Sequence, residues 1–459
     1  MPRKRIATNV RSAILNTVKY LSGLDAPDKV AHVAEKQGLT QAISYLKSRY
    51  KIFKPAPVRF LIALYTYRLA LSKRLETYAP PKKTYIIHFC VWGENYTDTA
   101  VELLLPSLLA DNNIPLLAKT HDITLLIHCD SDAQKAIQQS PTVIRLSNYA
   151  RFDFQIVPEK ILRALQKCQH YPAILPFSKK LNSYTRYSRY AMLGALQTHA
   201  LEIATHNKAF ISFLMPDFLL ADSVLQKAFE KIENRKAVVS TMYRTSLQEI
   251  HQQMNAYRGP DNKISISSPA LTKYCISYIH KQASRQIVSE ENTSFTPCPQ
   301  LIFKDPQGYV IRSLHYHPIL VDCDKLNNQS HAGYRPIDSC FFLDSESTSN
   351  FGNDIWVCPD ANEMAILECS APMESMDEKK SATHLSYEQL ICATTHMISS
   401  NLNTFDRSIY RYYASIRHKV TSDEPRHIEG YIDDCKFINT VYSQIDKQHA
   451  PKSSNAFYQ

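Results

Sequence analysis

The feature that most constrains the fold is an alternation of short apolar runs with amphipathic patterns between residues 84 and 242. The apolar runs predict five strands, at 85–91, 123–128, 154–157, 210–215 and 237–242. Helical patterns separate them, at 99–109, from 132 onward, and at 158–169, 184–205 and 222–233. Because parallel strands need long crossovers, this alternation predicts an α/β domain, with a mostly parallel sheet and helices on both faces.

The flanking segments differ from this core and predict three parts. Residues 1–83 read as a basic helical module, 84–365 as the α/β domain, and 366–459 as a helical segment with a polar, disordered tail. Within the core, the turn sequence 305–308 (Asp-Pro-Gln-Gly) lies between two extended runs and predicts a hairpin. Residues 355–358 predict one more short strand.

Positive charge is concentrated at the N-terminus. Residues 1–83 hold 17 Lys and Arg against 4 Asp and Glu, a net +13, whereas the whole chain carries +10. This bias predicts an anionic partner surface, a membrane or a nucleic acid, with a solvated basic face as the alternative. The apolar helix at 60–71 has a basic rim and is compatible with a membrane surface or with packing in a core.

Targeting signals are not evident at the start of the sequence. The basic residues at 1–5 are not followed by an apolar region of signal-peptide length, and the run 60–71 is too short to span a bilayer. We therefore expect a cytoplasmic protein that is peripheral at most to a membrane.

Glycine and cysteine usage excludes several classes. The chain has 9 Gly, no G-x-G and no GxxxxGK[ST], so Rossmann, Walker A and kinase phosphate loops are absent. Its 11 Cys form no CxxC pair, which argues against a disulfide framework or a zinc ribbon. We expect most of these cysteines to be small buried hydrophobes in a reducing compartment.

Ligands of open α/β sheets bind at the carboxyl ends of the strands, so the residues that follow each predicted strand are candidates. Trp92 follows the first strand, Asp130 the second and Asp217 the fourth. Asp132 and Asp222 fit the N-cap position of the next helix. Because Asp217 does not open its helix, it is the stronger candidate for binding a ligand or a metal.

A second candidate is the pair His315 and His317. Residues i and i+2 of a strand face the same side, so the two imidazoles can coordinate one divalent cation or contact one ligand. One structural and one surface histidine is the alternative. If the sheet brings the pair close to Asp217, a carboxylate and an imidazole will line the same cleft.

Two further groups fit the needs of a displacement reaction. The carboxylates of Asp338, Asp360 and Glu363 are candidates for the base that removes the proton of the acceptor. A basic helix entry contains Lys179, Lys180, Arg186 and Arg189. These cations can neutralise a departing diphosphate, with a solvated basic face as the equal alternative.

Several short segments resemble bacterial glycosyltransferase-like proteins. The stretches 91–96 (VWGENY) and 105–115 (LPSLLADNNIP) resemble the opening "WGxxY … LPSLLAxxNxP", and 213–217 (FLMPD) resembles "FLxPD". Residues 315–318 (HYHP) and 337–338 (ID) resemble a late "HxHP … ID" element. These segments keep the same order across 84–365, outside which no resemblance extends.

The resemblance implies a GT-A-like nucleotide-sugar transferase domain. In such folds an acidic motif after a central strand meets the diphosphate, usually through Mn²⁺ or Mg²⁺. Carried over, Trp92 and Tyr96 lie by the base or ribose, Asp217 faces the diphosphate, and His315 or His317 supplies an imidazole. The usual motif is D-x-D, whereas the fourth strand here leads into Met-Pro-Asp at 215–217. The D-x-D spelled at 130–132 follows the second strand, where GT-A folds usually contact the base.

The expected function is therefore transfer of a sugar from a nucleotide-sugar donor to a glycan, lipid or protein acceptor. Alternatives are a metal-dependent hydrolase that uses His315, His317 and an aspartate, and a non-catalytic binding module. We do not expect a nucleic-acid partner, because no recognised motif accompanies the basic charge.

Overall fold

The structure is a computed structural model that describes most of the chain from residue 84 onward. The described residues are 60, 63, 64, 67, 70, 71, 84–169, 179–292, 295, 300–314, 316–326, 337, 351–371, 385–401, 407–421 and 431–449. Only the backbone is described at 167–169, 179–189, 276, 400–401, 407–410 and 449.

Strands and helices alternate through the first half of this region. The strands are β1 Thr84–Val91, β2 Asp122–Cys129, β3 Ala150–Ile156, β4 Phe210–Phe213, β5 Phe218–Leu220, β6 Ala237–Ser240, β7 Tyr243–Ser246, β8 Gln300–Asp305, β9 Gly308–Ser313, β10 His317–Asp322, β11 Ile355–Val357, β12 Ile366–Ser370 and β13 His418–Thr421. The helices are α1 Glu94–Thr99, α2 Leu105–Leu108, α3 Ile114–Leu117, α4 Ser131–Gln139, α5 Pro141–Leu146, α6 Glu159–Gln169, α7 Lys179–His206, α8 Val224–Ile232, α9 Leu247–Met254, α10 Ser268–Ser277, α11 Lys281–Ser284, α12 Phe351–Asp354, α13 Tyr387–Asn401, α14 Arg407–Ser415 and α15 Asp434–His449. A π-helical turn, Ala100–Leu104, joins α1 to α2.

The main sheet has seven strands in the order β11-β6-β10-β4-β1-β2-β3. Neighbouring strands pair in parallel except at β10, which runs antiparallel to both β4 and β6. The prediction of an α/β domain with a mostly parallel sheet is therefore confirmed. The five predicted strands are all present, although β3 begins four residues before the predicted start at 154.

Both faces of the sheet are covered, as near-continuous apolar strands require. All eight residues of β1 are buried. Tyr85, Ile87 and Phe89 belong to a core with α2, α3, α4 and α8, whereas Ile86 belongs to a core with α7 on the opposite face. The alternation of side chains along a strand distributes β1 between these two layers.

Two small sheets lie beside the main one. The first has the order β5-β12-β7, with β12 antiparallel to β5 and parallel to β7. The second has the order β13-β9-β8, and the β8–β9 hairpin confirms the predicted turn. Gly308 has φ 138 there, a backbone conformation that favours glycine.

The described residues of the N-terminal module pack onto the core. Phe60 and Leu64 are buried in a cluster with Ile161 of α6 and Met192 of α7. These two side chains are covered by protein, which favours the packing interpretation for this face of the helix, and the membrane interpretation stays a prediction. Residues 1–59 lie outside the described residues. No helix in the described part of the chain combines the length and the apolar character needed to cross a bilayer.

The C-terminal segment differs from its prediction at one place. Residues 385–446 read as helical, and α13, α14 and α15 are helices, but β13 interrupts them. This strand pairs antiparallel with β9, so a long-range partner rather than the local pattern determines its conformation. The predicted disordered tail from 450 lies outside the described residues.

A buried ion pair joins this segment to the rest of the molecule. Arg312 on β9 and Asp434, the first residue of α15, are each 3% exposed, and Nη2 of Arg312 lies 2.6 Å from Oδ2 of Asp434. Arg312 also donates to the carbonyls of Ala414 and Ser415 at 3.0 and 2.8 Å, and Nη2 of Arg417 lies 3.1 Å from Asp434 Oδ1. The guanidinium therefore stabilises β9, α14 and α15 together.

We expect Arg312→Ala to lower the free energy of unfolding by about 3–5 kcal/mol, because it leaves a buried carboxylate without its closest partner. Urea denaturation followed by circular dichroism measures this loss. Arg163→Ala is the matched control, since the Arg163–Glu159 pair is exposed on α6 and such pairs contribute at most about 0.5 kcal/mol. Equal effects of the two substitutions would contradict the assignment.

Candidate functional site

The strand order creates a topological switch point between β1 and β4. From β1 the chain builds outward to β2 and β3, then returns to place β4 on the other side of β1. Connections leave the carboxyl ends of β1 and β4 in opposite directions, and ligands of open α/β sheets bind in the crevice that this opens. Trp92 directly follows β1, and Asp217 follows β4 by four residues.

Trp92 and the loop after β4 meet at this edge. The partly buried side chains of Trp92 and Met215 pack against the same apolar cluster, which contains Cys90 of β1 and Met192 of α7. The structure therefore brings together the segments around 92 and 217, as the sequence predicted. Tyr96, on the first turn of α1, is 45% exposed.

The turn after β1 is stabilised by Asp130. Gly93 has φ 80, and its amide donates to Asp130 Oδ2 at 3.0 Å. The other carboxylate oxygen accepts from the amide of Ala133 at 2.6 Å, so Asp130 is the N-cap of α4. The prediction that Asp132 caps this helix is wrong by two residues, because the helix already begins at Ser131. The predicted contact of Asp130 with a nucleotide stays a prediction.

Asp222 is not an N-cap either, although the sequence predicted one. Helix α8 begins at Val224, after Ser223 with φ 76. The Asp222 carboxylate instead accepts from the amide of Asn112 and from Ser265 Oγ, both at 3.0 Å. It therefore fixes the turn between β5 and α8 to two neighbouring loops.

His317 lies at the same edge because β10 runs antiparallel. As the first residue of β10, it lies beside the carboxyl end of β4, and its Nε2–H donates to the carbonyl of Phe213. Its ring also lies 5.0 Å from that of Phe218. Phe213 and Phe218 flank the 214–217 loop, so the predicted proximity of this imidazole to the Asp217 segment is confirmed. His315 lies outside the described residues, and metal coordination by the pair stays a prediction.

Asp217 lies beside two charged residues that sequence reasoning missed. Its carbonyl accepts from the amide of Cys369 on β12 at 2.8 Å. The preceding residue, Glu368, is paired with Phe218 of β5 on one side and Arg244 of β7 on the other. Nη2 of Arg244 lies 2.6 Å from Glu368 Oε1. We call Asp217, Glu368 and Arg244 the acidic–arginine cluster.

The pKa of Asp217 is raised from 3.8 to about 7. Burial is the largest cause, because it penalises the charged carboxylate, and repulsion from Glu368 adds to it. Attraction from Arg244 opposes the shift in part. A carboxyl group with this pKa exchanges its proton near neutral pH, which suits a group that transfers protons or exchanges a proton for a cation.

Arg244 is held in place by three contacts. Besides Glu368, its guanidinium donates to Ser370 Oγ at 2.9 Å and to Gln282 Oε1 at 2.6 Å. His280 supports the same region, since its Nε2–H donates to the Ala371 carbonyl at 3.3 Å. Burial lowers the pKa of this imidazole. The guanidinium is therefore a preorganised positive charge beside two carboxylates.

The late acids have local partners. Glu363 Oε1 lies 2.8 Å from Nζ of Lys231 on α8. Asp360 Oδ1 accepts from the amide of Asn362 at 2.8 Å, and Asp360 forms an isolated β-bridge to Lys419. Asp338 lies outside the described residues. A role as catalytic base stays a prediction for each of these three acids.

The predicted cations lie on the early turns of α7. This helix of 28 residues ends just before β4 begins. The imidazole of His199 on α7 is hydrogen-bonded to that of His128, which lies near the end of β2, so α7 passes this end of the strand at His199. With a rise of about 1.5 Å per residue, the backbone of Arg186 lies roughly 20 Å and that of Lys180 roughly 28 Å further along the axis, on the carboxyl-edge side.

Comparison with known proteins adds no family: no family model matches the sequence, and no curated protein matches it.

The raised pKa of Asp217 makes stability depend on pH. The folded protein binds the Asp217 proton more tightly than the unfolded chain does. Protonation of Asp217 therefore adds its full contribution to the free energy of unfolding below about pH 4, and this contribution is lost as the pH rises to about 7. Asp217→Asn removes the penalty of a buried charge at high pH. We expect the variant to gain stability relative to wild type between pH 5 and pH 8, by at most about 4 kcal/mol.

Urea unfolding at the two pH values measures this difference, with Asp132→Asn, an exposed carboxylate, as the control. A difference in the free energy of unfolding between Asp217→Asn and wild type that stays constant across this pH range would contradict the raised pKa of Asp217.

Proposed function

We propose that this protein is a nucleotide-sugar-dependent glycosyltransferase with a GT-A-like core. The observation that carries the proposal is the acidic–arginine cluster at the β1/β4 switch point. Asp217 follows β4, the central strand of the seven, and Trp92 follows the adjacent β1. An aromatic ring and an acidic residue on neighbouring strand ends match what the resemblance to glycosyltransferase-like proteins implies for donor binding.

In this proposal Trp92 contacts the nucleotide base. Its side chain is partly buried against the apolar cluster that contains Cys90, so the ring is fixed at the edge of the sheet while part of it stays accessible. Stacking of a base on such a ring contributes about 1–3 kcal/mol. Tyr96 is exposed one turn away and lies by the ribose.

Asp217 and Glu368 would hold a divalent cation, which would neutralise the charge of the donor diphosphate. A D-x-D motif supplies two carboxylates from one strand end, whereas here β12 supplies the second from a distant part of the chain. Mg²⁺ and Mn²⁺ prefer carboxylate oxygens. A cation also favours the ionised form of Asp217, which otherwise retains a proton near pH 7.

The departing nucleoside diphosphate is stabilised by positive charge. When the acceptor oxygen attacks the anomeric carbon, the bond to the diphosphate oxygen breaks and negative charge develops on the leaving group. Arg244 is fixed to receive this charge. Because the backbones of Arg186 and Lys180 lie roughly 20 and 28 Å beyond the level of His128, a role of these two cations at the diphosphate stays a prediction. A carboxylate, among Asp338, Asp360 and Glu363, accepts the proton of the acceptor.

The basic residues of 1–83 would recruit the enzyme to an anionic membrane or bind its acceptor, which is a glycan, a lipid or a protein. The hydrolase alternative would use His315, His317 and an aspartate, and His315 lies outside the described residues.

Isothermal titration of the full-length protein with UDP- and GDP-sugars in the presence of Mn²⁺ tests the proposal. We expect binding of one donor class, weakened at least about tenfold by Asp217→Asn and by Glu368→Gln, because each removes a ligand of the cation. Asp132→Asn, on the exposed surface of α4, is the matched control and should bind like wild type.

Release of the nucleoside diphosphate from the bound donor distinguishes an enzyme from a binding module. Slow hydrolysis that is lost in Asp217→Asn supports the transferase. Binding with no turnover towards water or any acceptor would support the module, and absence of binding by a folded sample would contradict the proposal altogether.

A further inference from the structure

A group of buried imidazoles and one thiol lies beneath the Trp92 turn. His88 and Cys90 are on β1, His128 is on β2 and His199 is on α7, and all four are at most 4% exposed. Cys90 is paired in register with His128 across the two strands, so their side chains share the face that α7 covers. None of these residues belongs to the acidic–arginine cluster.

The potential donor atoms converge. His88 Nε2 lies 2.9 Å from His128 Nδ1 and 3.6 Å from Cys90 Sγ, and the three atoms all lie within 4.8 Å of one another. In a tetrahedral zinc site, Zn–N bonds of about 2.0–2.1 Å and Zn–S bonds of about 2.3 Å separate two nitrogens by roughly 3.3 Å and a nitrogen from a sulfur by roughly 3.6 Å. A small rotation of one ring reaches this geometry.

A hydrogen bond from His199 orients the ring of His128. His128 has its second ring nitrogen, Nε2, 3.0 Å from His199 Nδ1. Metal-bound histidines commonly use their second nitrogen in this way, which fixes the ring and its tautomer. His199 is therefore a positioning residue for His128 rather than a ligand.

Hydrogen bonding alone does not satisfy the group. His88 Nδ1 is buried without a hydrogen-bond partner, and Nε2, the nitrogen that faces His128 and Cys90, is the atom that a metal would bind. The neighbouring positions on this face, Ile86 and Leu126, are apolar, so the burial of three rings and a thiol there costs free energy that a purely structural role does not recover.

We propose that His88, Cys90 and His128 bind one Zn²⁺ ion. Two imidazoles and a thiolate form a nitrogen and sulfur donor set that suits Zn²⁺, in contrast to the oxygen donors of Asp217 and Glu368. On binding, the thiol of Cys90 loses its proton to solvent and the sulfur forms the bond to the metal. The ion links β1 to β2 two residues before Trp92 and so stabilises the floor of the donor site.

The other candidate group in the described residues, Asp433, Asp434 and Cys435, is not comparable. Asp434 is already bound by Arg312 and Arg417, which compensate its charge.

The test is the zinc content of the full-length protein after expression in zinc-supplemented medium, measured by plasma mass spectrometry after gel filtration. We expect about one zinc per chain, a loss of most of it in Cys90→Ser, and full retention in Cys129→Ser. Cys129 is the matched control, because it is a buried cysteine that faces the opposite core. Folded wild-type protein without zinc, or equal zinc in both variants, would overturn the proposal.

Replacement by Co²⁺ keeps the test informative if Cys90→Ser does not fold. Cobalt bound to a thiolate has a near-ultraviolet charge-transfer absorption, which wild type should show and which Asp217→Asn should retain. We expect His199→Phe to keep the band but to lose metal to a chelator about 10- to 100-fold more readily. A cobalt spectrum without the thiolate band in wild type would contradict coordination by Cys90. Since the readouts are metal content and absorption, they are independent of sugar transfer.

Discussion

The structure depends on the complete burial of β1 between two layers. This strand pairs with β2 along its whole length and with β4 along half of it, and its side chains alternate between the two cores. Because β1 is paired on both sides, the chain reverses its direction of growth beside it, and ligands of open α/β sheets bind at the carboxyl edge of such a switch point. Trp92, the loop of Asp217 and the start of β10 meet there as a consequence.

The loop after β4 is held from several directions, which suits a site that has to be preorganised. The amide of Leu214 donates to the carbonyl of His88, and the carbonyl of Asp217 accepts from the amide of Cys369 on β12. Beyond β5, the carboxylate of Asp222 binds two other loops. With its backbone fixed, Asp217 can be kept beside Glu368 despite their repulsion. The free energy for this placement comes from the surrounding hydrogen bonds and the apolar core.

Local patterns predicted the parallel strands well, because each is an apolar run buried on both sides and needs no information about its partner. The short strands β5, β7, β12 and β13 were missed. They have three to five residues and are stabilised by pairing with distant segments. The hairpin of β8 and β9 was found because its turn residues are local.

The sequence predicted those site residues that follow strands, but not those that distant strand pairing brings to the site. Trp92 and Asp217 follow strands, so the general rule for α/β sheets identified them, and the antiparallel β10 placed His317 where the sequence suggested. Glu368 and Arg244 carry no motif, and only the pairing of β12 with β5 and β7 reveals them. The capping role of Asp130 was assigned to Asp132 because the sequence pattern does not determine the first residue of a helix to within two positions.

A crystal structure of the protein with bound UDP or GDP and Mn²⁺ tests the central claim most directly. The account predicts the base against the ring of Trp92 and the cation between the carboxylates of Asp217 and Glu368, at the edge where β1 and β4 end. A nucleotide bound elsewhere, for example in the cavity of about 600 Å³ that Arg411 and Tyr442 line beside α14 and α15, would contradict it.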